Sequence, residues 1–326
     1  MPSDRIPTKA LRGACALGLA AALGCMGAVH TDPAQAGPDY AIQGEFAGPG
    51  FGAQVVALGD GDFELRLLPG GLPGAGARAD RRLRAAGARS GASVDFAGEL
   101  RATLAGDALR GTLASGESFA LERVERVSPT LGAAAPPGAL VLFDGSGPGG
   151  FDGELDAEGN LAAGAVTRER FRDFELHLEF RTPFMPGHRG QQRGNSGVFL
   201  QDRYEIQVLD SFGLEGAANE CGALYAQKAP DHNMALPPLR WQSYDLRFEA
   251  ARFDAAGRRA TPAVVTLRHN GVLVHDRVPL EGPMDDGDPE GPEPGPLRFQ
   301  DLWIPVAYRN VWLLPLGAES GSPPRS

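Results

Sequence analysis

From Phe174 to Phe180 every second residue is apolar: Phe174, Leu176, Leu178 and Phe180 alternate with Glu175, His177 and Glu179. A period of two belongs to a strand with one buried face, and it leaves a helix no apolar stripe. Similar short runs recur along the chain, among them AQVVAL, FELRLL, ASVDF, TLRHN, GVLVHD and YRNVWLLPL. No segment sustains a helical period, and no internal repeat is visible. The 45 glycines and 27 prolines supply turn residues between the runs. The expected fold class is all-β. Asp60-Gly61 and Asn270-Gly271 each stand between two strand-like runs and predict tight hairpins. The Gly59-Asp60-Gly61-Asp62 run lacks the ligand spacing of a calcium loop and reads as a turn.

The runs fall into two groups. Residues 38–128 predict a small antiparallel β domain, and residues 129–139, rich in Pro, Ala and Gly, have the composition of a linker. Residues 140–316 carry a longer series of strands, which predicts a two-sheet sandwich. Residues 317–326 read as a disordered tail. At the other end, residues 1–36 read as an export signal: Arg5, Lys9 and Arg12 precede an apolar stretch from Ala14 to Val29, and Ala34-Gln35-Ala36 matches a small-x-small cleavage site. Ala22-Leu23-Gly24-Cys25 offers a second reading, in which Cys25 receives a lipid anchor. Either route implies an exported protein, periplasmic or extracellular, with no membrane span after processing. Beyond the leader only Cys221 remains, so no intramolecular disulfide is available and Cys221 reads as a small buried hydrophobe. The net charge of -10 argues against a nucleic-acid partner.

The candidate chemistry centres on RGNSGVFLQDRYEIQVLDSFG, residues 193–213. Alternation from Tyr204 sends Tyr204, Ile206 and Val208 to one side and Glu205, Gln207 and Leu209 to the other. If the first set packs into the sandwich, the polar set looks outward, beside the small and polar residues Gly194, Asn195, Ser196 and Gly197. Glu205-x-Gln207-x-x-Asp210 faintly echoes the strand of some sandwich-fold glucanases. The middle acid is an amide here, however, and Asp210 faces away from Glu205 by parity, so the ordinary two-carboxylate mechanism does not follow. A second polar and aromatic cluster, Tyr225, Lys228, His232, Asn233 and Trp241, suits sugar binding. A third comprises Gln300, Asp301 and Arg309. The acidic loop MDDGDPEGPEPG, residues 284–295, reads as solvated. Nucleophile-elbow, zinc-protease, Walker and Rossmann motifs are absent.

From about Val141 to Leu316 the chain resembles the 3-keto-disaccharide hydrolase domain of the concanavalin A-like lectin/glucanase superfamily. The stretches that carry the likeness, in order, are LFDG, FRDFELHLEFRTPFMP, RGNSGVFLQDRYEIQVLDSFG, CGALY, WQSYDLRF, LRHNGVLV and YRNVWLLPL. Residues 40–127 are similar to an N-terminal β domain that accompanies some members. The resemblance implies a jelly-roll sandwich that cleaves glycosides oxidised at C3, by β-elimination and hydration. It also implies Glu205 as base or cation ligand, and a small-carbohydrate site including Asn195, Gln207, Tyr225, Lys228, Gln300, Asp301 and Arg309. A divalent cation is compatible with such a site. Many members carry Gln-Asp-His-Gly where this chain has Gln300-Asp301-Leu302-Trp303. The alternative reading is therefore a non-catalytic carbohydrate-binding module of the same fold.

Overall fold

The computed structural model describes residues 27–78 and 81–317. All strand pairings between named strands are antiparallel. Eight strands form a closed up-and-down barrel: β1 (Gly44–Gly48), β2 (Phe51–Gly59), β3 (Asp62–Pro69), β4 (Leu83–Ser90), β5 (Ser93–Gly98), β6 (Leu100–Ala105), β7 (Ala108–Leu113) and β8 (Ser118–Val124). Closure comes from β1 pairing with both β2 and β8, which leaves no free sheet edge. Alternation fills the interior; in β6, for example, Leu100, Ala102 and Leu104 are buried and the residues between them exposed. The β2–β3 hairpin turns at Asp60 and Gly61, both left-handed at φ 56° and 83°, as its Asp-Gly sequence predicts.

The second group of strands is β9 (Leu140–Phe143), β10 (Phe151–Asp152), β11 (Leu161–Ala162), β12 (Val166–Thr167), β13 (Phe174–Arg181), β14 (Ser196–Leu200), β15 (Tyr204–Val208), β16 (Gln242–Glu249), β17 (Arg252–Phe253), β18 (Arg259–Thr261), β19 (Val264–His269), β20 (Val272–Pro279), β21 (Arg298–Phe299) and β22 (Ala307–Pro315). They form a five-stranded sheet, ordered β10-β12-β21-β14-β15, and a seven-stranded sheet, ordered β11-β22-β13-β16-β19-β20 with β9 beside β22. β17 and β18 make a separate ribbon. The inward faces share one core that includes Val198, Ile206, Val208, Leu176, Leu178, Leu246 and Leu267. Tyr308 bridges the sheets: its ring stacks on Phe299, and its hydroxyl lies 2.7 Å from Ser196 Oγ. This all-β sandwich is the expected fold class.

One expectation changes. Residues 128–133 do not behave as a free linker. Ser128 and Thr130 hydrogen-bond to Ser243, Thr130 also donates to Asp245, and the Gly132 N–H donates to Glu179, so the segment is laid across the seven-stranded sheet. The barrel is also docked against the sandwich, since Phe184 and Leu239 from the second group belong to the barrel's hydrophobic core. At the N-terminus, the His30 backbone pairs with Phe184 in both directions, at 3.0 and 2.9 Å, and Ala36 is buried in the barrel core. A cut after Ala36 would strip away these contacts. The rest of the expected leader (residues 1–26), including Cys25, and the expected tail from residue 318 lie outside the described residues. No helix among the described residues is long and apolar enough to cross a membrane.

Candidate active site

Register places the polar residues of β15 on the outer face of the five-stranded sheet. Phe199 of β14 pairs with Glu205 on one side and Arg298 of β21 on the other. Gly197 pairs with Gln207, and its carbonyl accepts from the Gln300 N–H at 2.8 Å. Beyond β15, the Tyr225 N–H donates to the Glu205 carbonyl at 3.0 Å, which aligns Tyr225 with Glu205. Two rows therefore cross this face: Arg298, Phe199, Glu205 and Tyr225, then Gln300, Gly197, Gln207 and Ala223. Gly197 is the gap in the second row, and the Glu205 carboxyl lies over it. A Cβ at Gly197 would meet the Glu205 carboxyl carbon at 2.8 Å.

The outer face is not open, contrary to the expectation of an outward polar groove. Glu205 is 5% exposed and Gln207 1%, while Phe199 is fully buried. The acidic loop, expected to be solvated, packs over the β14–β15 turn. The Met284 N–H donates to the Arg203 carbonyl, and the Arg203 guanidinium donates to the carbonyls of Pro289, Gly291 and Glu293. Glu290 accepts from the Tyr204 hydroxyl at 2.6 Å. The Glu205 carboxyl has no hydrogen-bond partner among the described residues. Burial, with the negative charge of Asp286 nearby, pushes it up to about 8, and Arg298 only partly offsets this. Arg298 is held over the Phe199 ring, 3.8 Å from its centroid, and is ion-paired with Asp202.

A web of amides adjoins Glu205. Gln207 Nε2 donates to Gln191 Oε1 at 2.8 Å, Gln191 Nε2 to the Asn219 carbonyl at 2.7 Å, and Asn195 Nδ2 to the Gln191 carbonyl at 2.9 Å. The side-chain oxygens of Gln207 and Asn195 are buried and have no donor among the described residues, which is uncommon in a folded interior. Asp210 is committed elsewhere: its carboxylate takes the Arg193 guanidinium at 2.6 Å, fully buried. It cannot complete a glycosidase pair with Glu205.

Other expected residues scatter. Asp301 accepts the Trp303 N–H at 2.8 Å and shapes its own loop. Lys228 pairs with Leu224 and so turns to the opposite side from Tyr225; its amine binds Asp231 at 2.7 Å. Asn233 is consumed by backbone bonds to Ser211, Leu214 and Ala235, and His232 is exposed. Cys221 is buried against the Tyr244 hydroxyl, and burial pushes its thiol up to about 11. Arg309 lies across the sandwich, because Tyr308 points inward and its neighbour must point out of the seven-stranded sheet. It binds Glu179 at 2.7 Å and covers Trp241, 4.1 Å from the ring centroid. There Glu179 also touches Asn310, the Gly132 N–H and His177. Burial alone would raise this carboxyl, but those bonds outweigh it and hold it at about 2. In this second polar cluster Glu179 is held on several sides, while Arg309 keeps an exposed guanidinium edge. Arg298 and Gln191 were missed in the sequence; the alternation of Leu297-Arg298-Phe299-Gln300 was the legible signal for Arg298, whereas nothing local marks Gln191. Among the described residues no group of three or more His, Cys, Asp or Glu gathers to hold a metal ion.

Residues 138–314 match the family model of the 3-keto-alpha-glucoside-1,2-lyase-like domain. No curated protein matches the chain. Among solved structures, a candidate glycosyl hydrolase from Parabacteroides distasonis shares 29% identity and a TM-score of 0.52, over 63% of this chain and 99% of its own. A second candidate glycosyl hydrolase from that organism shares 20% identity and a TM-score of 0.42, over 55% of this chain and 94% of its own. The matched span holds both sheets and the Glu205 face, and the chain belongs to the family of the 3-keto-alpha-glucoside-1,2-lyase-like domain.

Proposed function

We propose that this protein cleaves glycosides whose glucose-like ring carries a ketone at C3, with Glu205 as the base. The observation that carries the reading is one carboxyl, buried on the polar strand of the family domain, bound by no donor and held near 8. A ketone at C3 acidifies the C2 proton. The Glu205 carboxylate takes that proton, the C1–O bond breaks with its electron pair going to the leaving oxygen, and a C1=C2 double bond forms in conjugation with the ketone. The leaving oxygen gains a proton; water then adds at C1 and a proton returns to C2, giving net hydrolysis. This chemistry needs one strong base rather than two carboxylates, and a base near neutrality is the most effective at neutral pH. Arg298, in the same row, supplies positive charge for the enolate oxygen. Gln207, Asn195, Tyr225 and Gln300 border the same face and suit the hydroxyls of a small sugar.

The test is aglycone release from a 3-keto-glucoside by purified protein, compared with Glu205→Gln. Release by the wild type and loss of at least about a hundredfold in the variant is the expected result, since a general base contributes roughly that much or more. Glycan binding with no release would instead favour the non-catalytic module.

A further inference from the structure

Trp303 is 94% exposed, and its neighbour Leu302 is 39% exposed. A tryptophan this bare is unusual, because its large apolar surface is ordinarily covered. Its backbone is also unusual: φ is +61°, a left-handed conformation that costs a bulky residue energy and that recurs at ligand sites. The conformation is held by a hydrogen bond to Asp301, which itself lies close against Gly164. Asp301 Oδ1 accepts the Trp303 N–H at 2.8 Å, and a Cβ at Gly164 would sit 3.4 Å from the Asp301 Cβ, so the carboxylate is seated at the sheet edge. Ile304 then packs onto the sandwich core and anchors the far side of the loop. The indole is thus presented to solvent on a braced loop.

The loop leaves the sheet at the end of β21, two strands from the candidate base. Gln300 is tied by its N–H to the Gly197 carbonyl and by its own carbonyl to Ser196 Oγ, at 2.8 and 2.7 Å. The Glu205 carboxyl lies over that same Gly197. Trp303 follows Gln300 by three residues, a span of at most about 11 Å. Gln300 stands two strands from Glu205, roughly 10 Å at sheet spacing, so a two-ring ligand that starts at Glu205 and runs across β14 and β21 ends at the loop that carries the indole.

We infer that Trp303 is a stacking platform for the leaving group, binding the second ring of the substrate through its flat face. This rests on the reading of Glu205 as the base. The negative face of an indole attracts the C–H edges of a pyranose and also stacks on an aromatic aglycone. Both are flat or flattened rings with polarised C–H bonds, whereas a methyl aglycone is too small to cover the indole.

Three substrates separate the cases: a 3-keto-disaccharide, a 3-keto aryl glucoside and a 3-keto methyl glucoside. For Trp303→Ala we expect KM to rise about tenfold on the two ringed substrates, the scale of one aromatic contact, with methyl glucoside turnover unchanged. Trp303→Phe should restore most of the loss. A loss on the disaccharide alone would identify a pyranose as the ring, and on the aryl glucoside alone an aromatic one. An equal loss on all three, or no loss on either ringed substrate, overturns the inference while leaving Glu205 as base. If the wild type cleaves none of them, the base assignment fails, and indole fluorescence decides the platform. Quenching by the disaccharide or the aryl glucoside that disappears in Trp303→Ala upholds it, and quenching that persists or never occurs overturns it.

Discussion

Glu205 shows how one side chain can be costly and useful at once. Its carboxyl is pushed from an ordinary 4.5 to about 8, so the folded chain holds a proton that the unfolded chain releases. A raised value means the stability is present below about 4.5 and is lost as pH climbs through about 8. Charging the buried group therefore costs on the order of 5 kcal/mol at high pH. Glu205→Gln, which cannot ionise, should melt several degrees higher than the wild type at pH 9 and within about a degree of it at pH 5. Thermal melts at the two pH values check this; a variant destabilised at pH 9 would show that the carboxylate has a partner. The same titration sets the rate. As a base, Glu205 makes kcat/KM rise about tenfold per pH unit and level off near 8. A profile that falls above that pH would make it an acid instead.

At the scale of elements, Gly197 shapes the site as much as any polar residue. Its missing side chain is the space into which the Glu205 carboxyl folds. Gly197→Ala should cost at least about tenfold in kcat, since small displacements of a base are expensive. Amide hydrogen exchange and thermal melts should show the five-stranded sheet intact. Unchanged turnover would mean that the carboxyl works from another position. Hairpins were readable in advance, since Asn270-Gly271 turns at φ 50° and 78° as such a pair must. The face of β15 was also readable as far as Val208. Leu209 then departs from parity and joins the sandwich core, because the strand ends and alternation no longer applies.

In the whole molecule, the barrel braces the candidate site from behind. Arg189 donates to the Leu58 carbonyl at 2.9 Å and Arg193 to the Ala57 carbonyl at 3.3 Å, at either end of the segment that carries Gln191. Across the barrel rim, Arg82 donates to the Leu214 carbonyl at 2.6 Å. The N-terminal segment is part of this arrangement through His30, Phe184 and Ala36. If the leader is processed, the mature chain is accordingly expected to retain residues 27–36. Intact mass or N-terminal sequencing of the mature protein checks this, and a chain beginning at Gly37 would refute it. Alternation, turn pairs and motif order in the sequence were enough to determine an all-β chain, the inward face of each long strand and the strand that bears Glu205, because these depend on local geometry. Tertiary structure alone decided that Arg309 lies across the sandwich from Glu205, that residues 128–133 are docked, and that the acidic loop packs over the β14–β15 turn. Each depends on which distant segments meet, and a one-dimensional pattern records the side a residue faces but not what covers it.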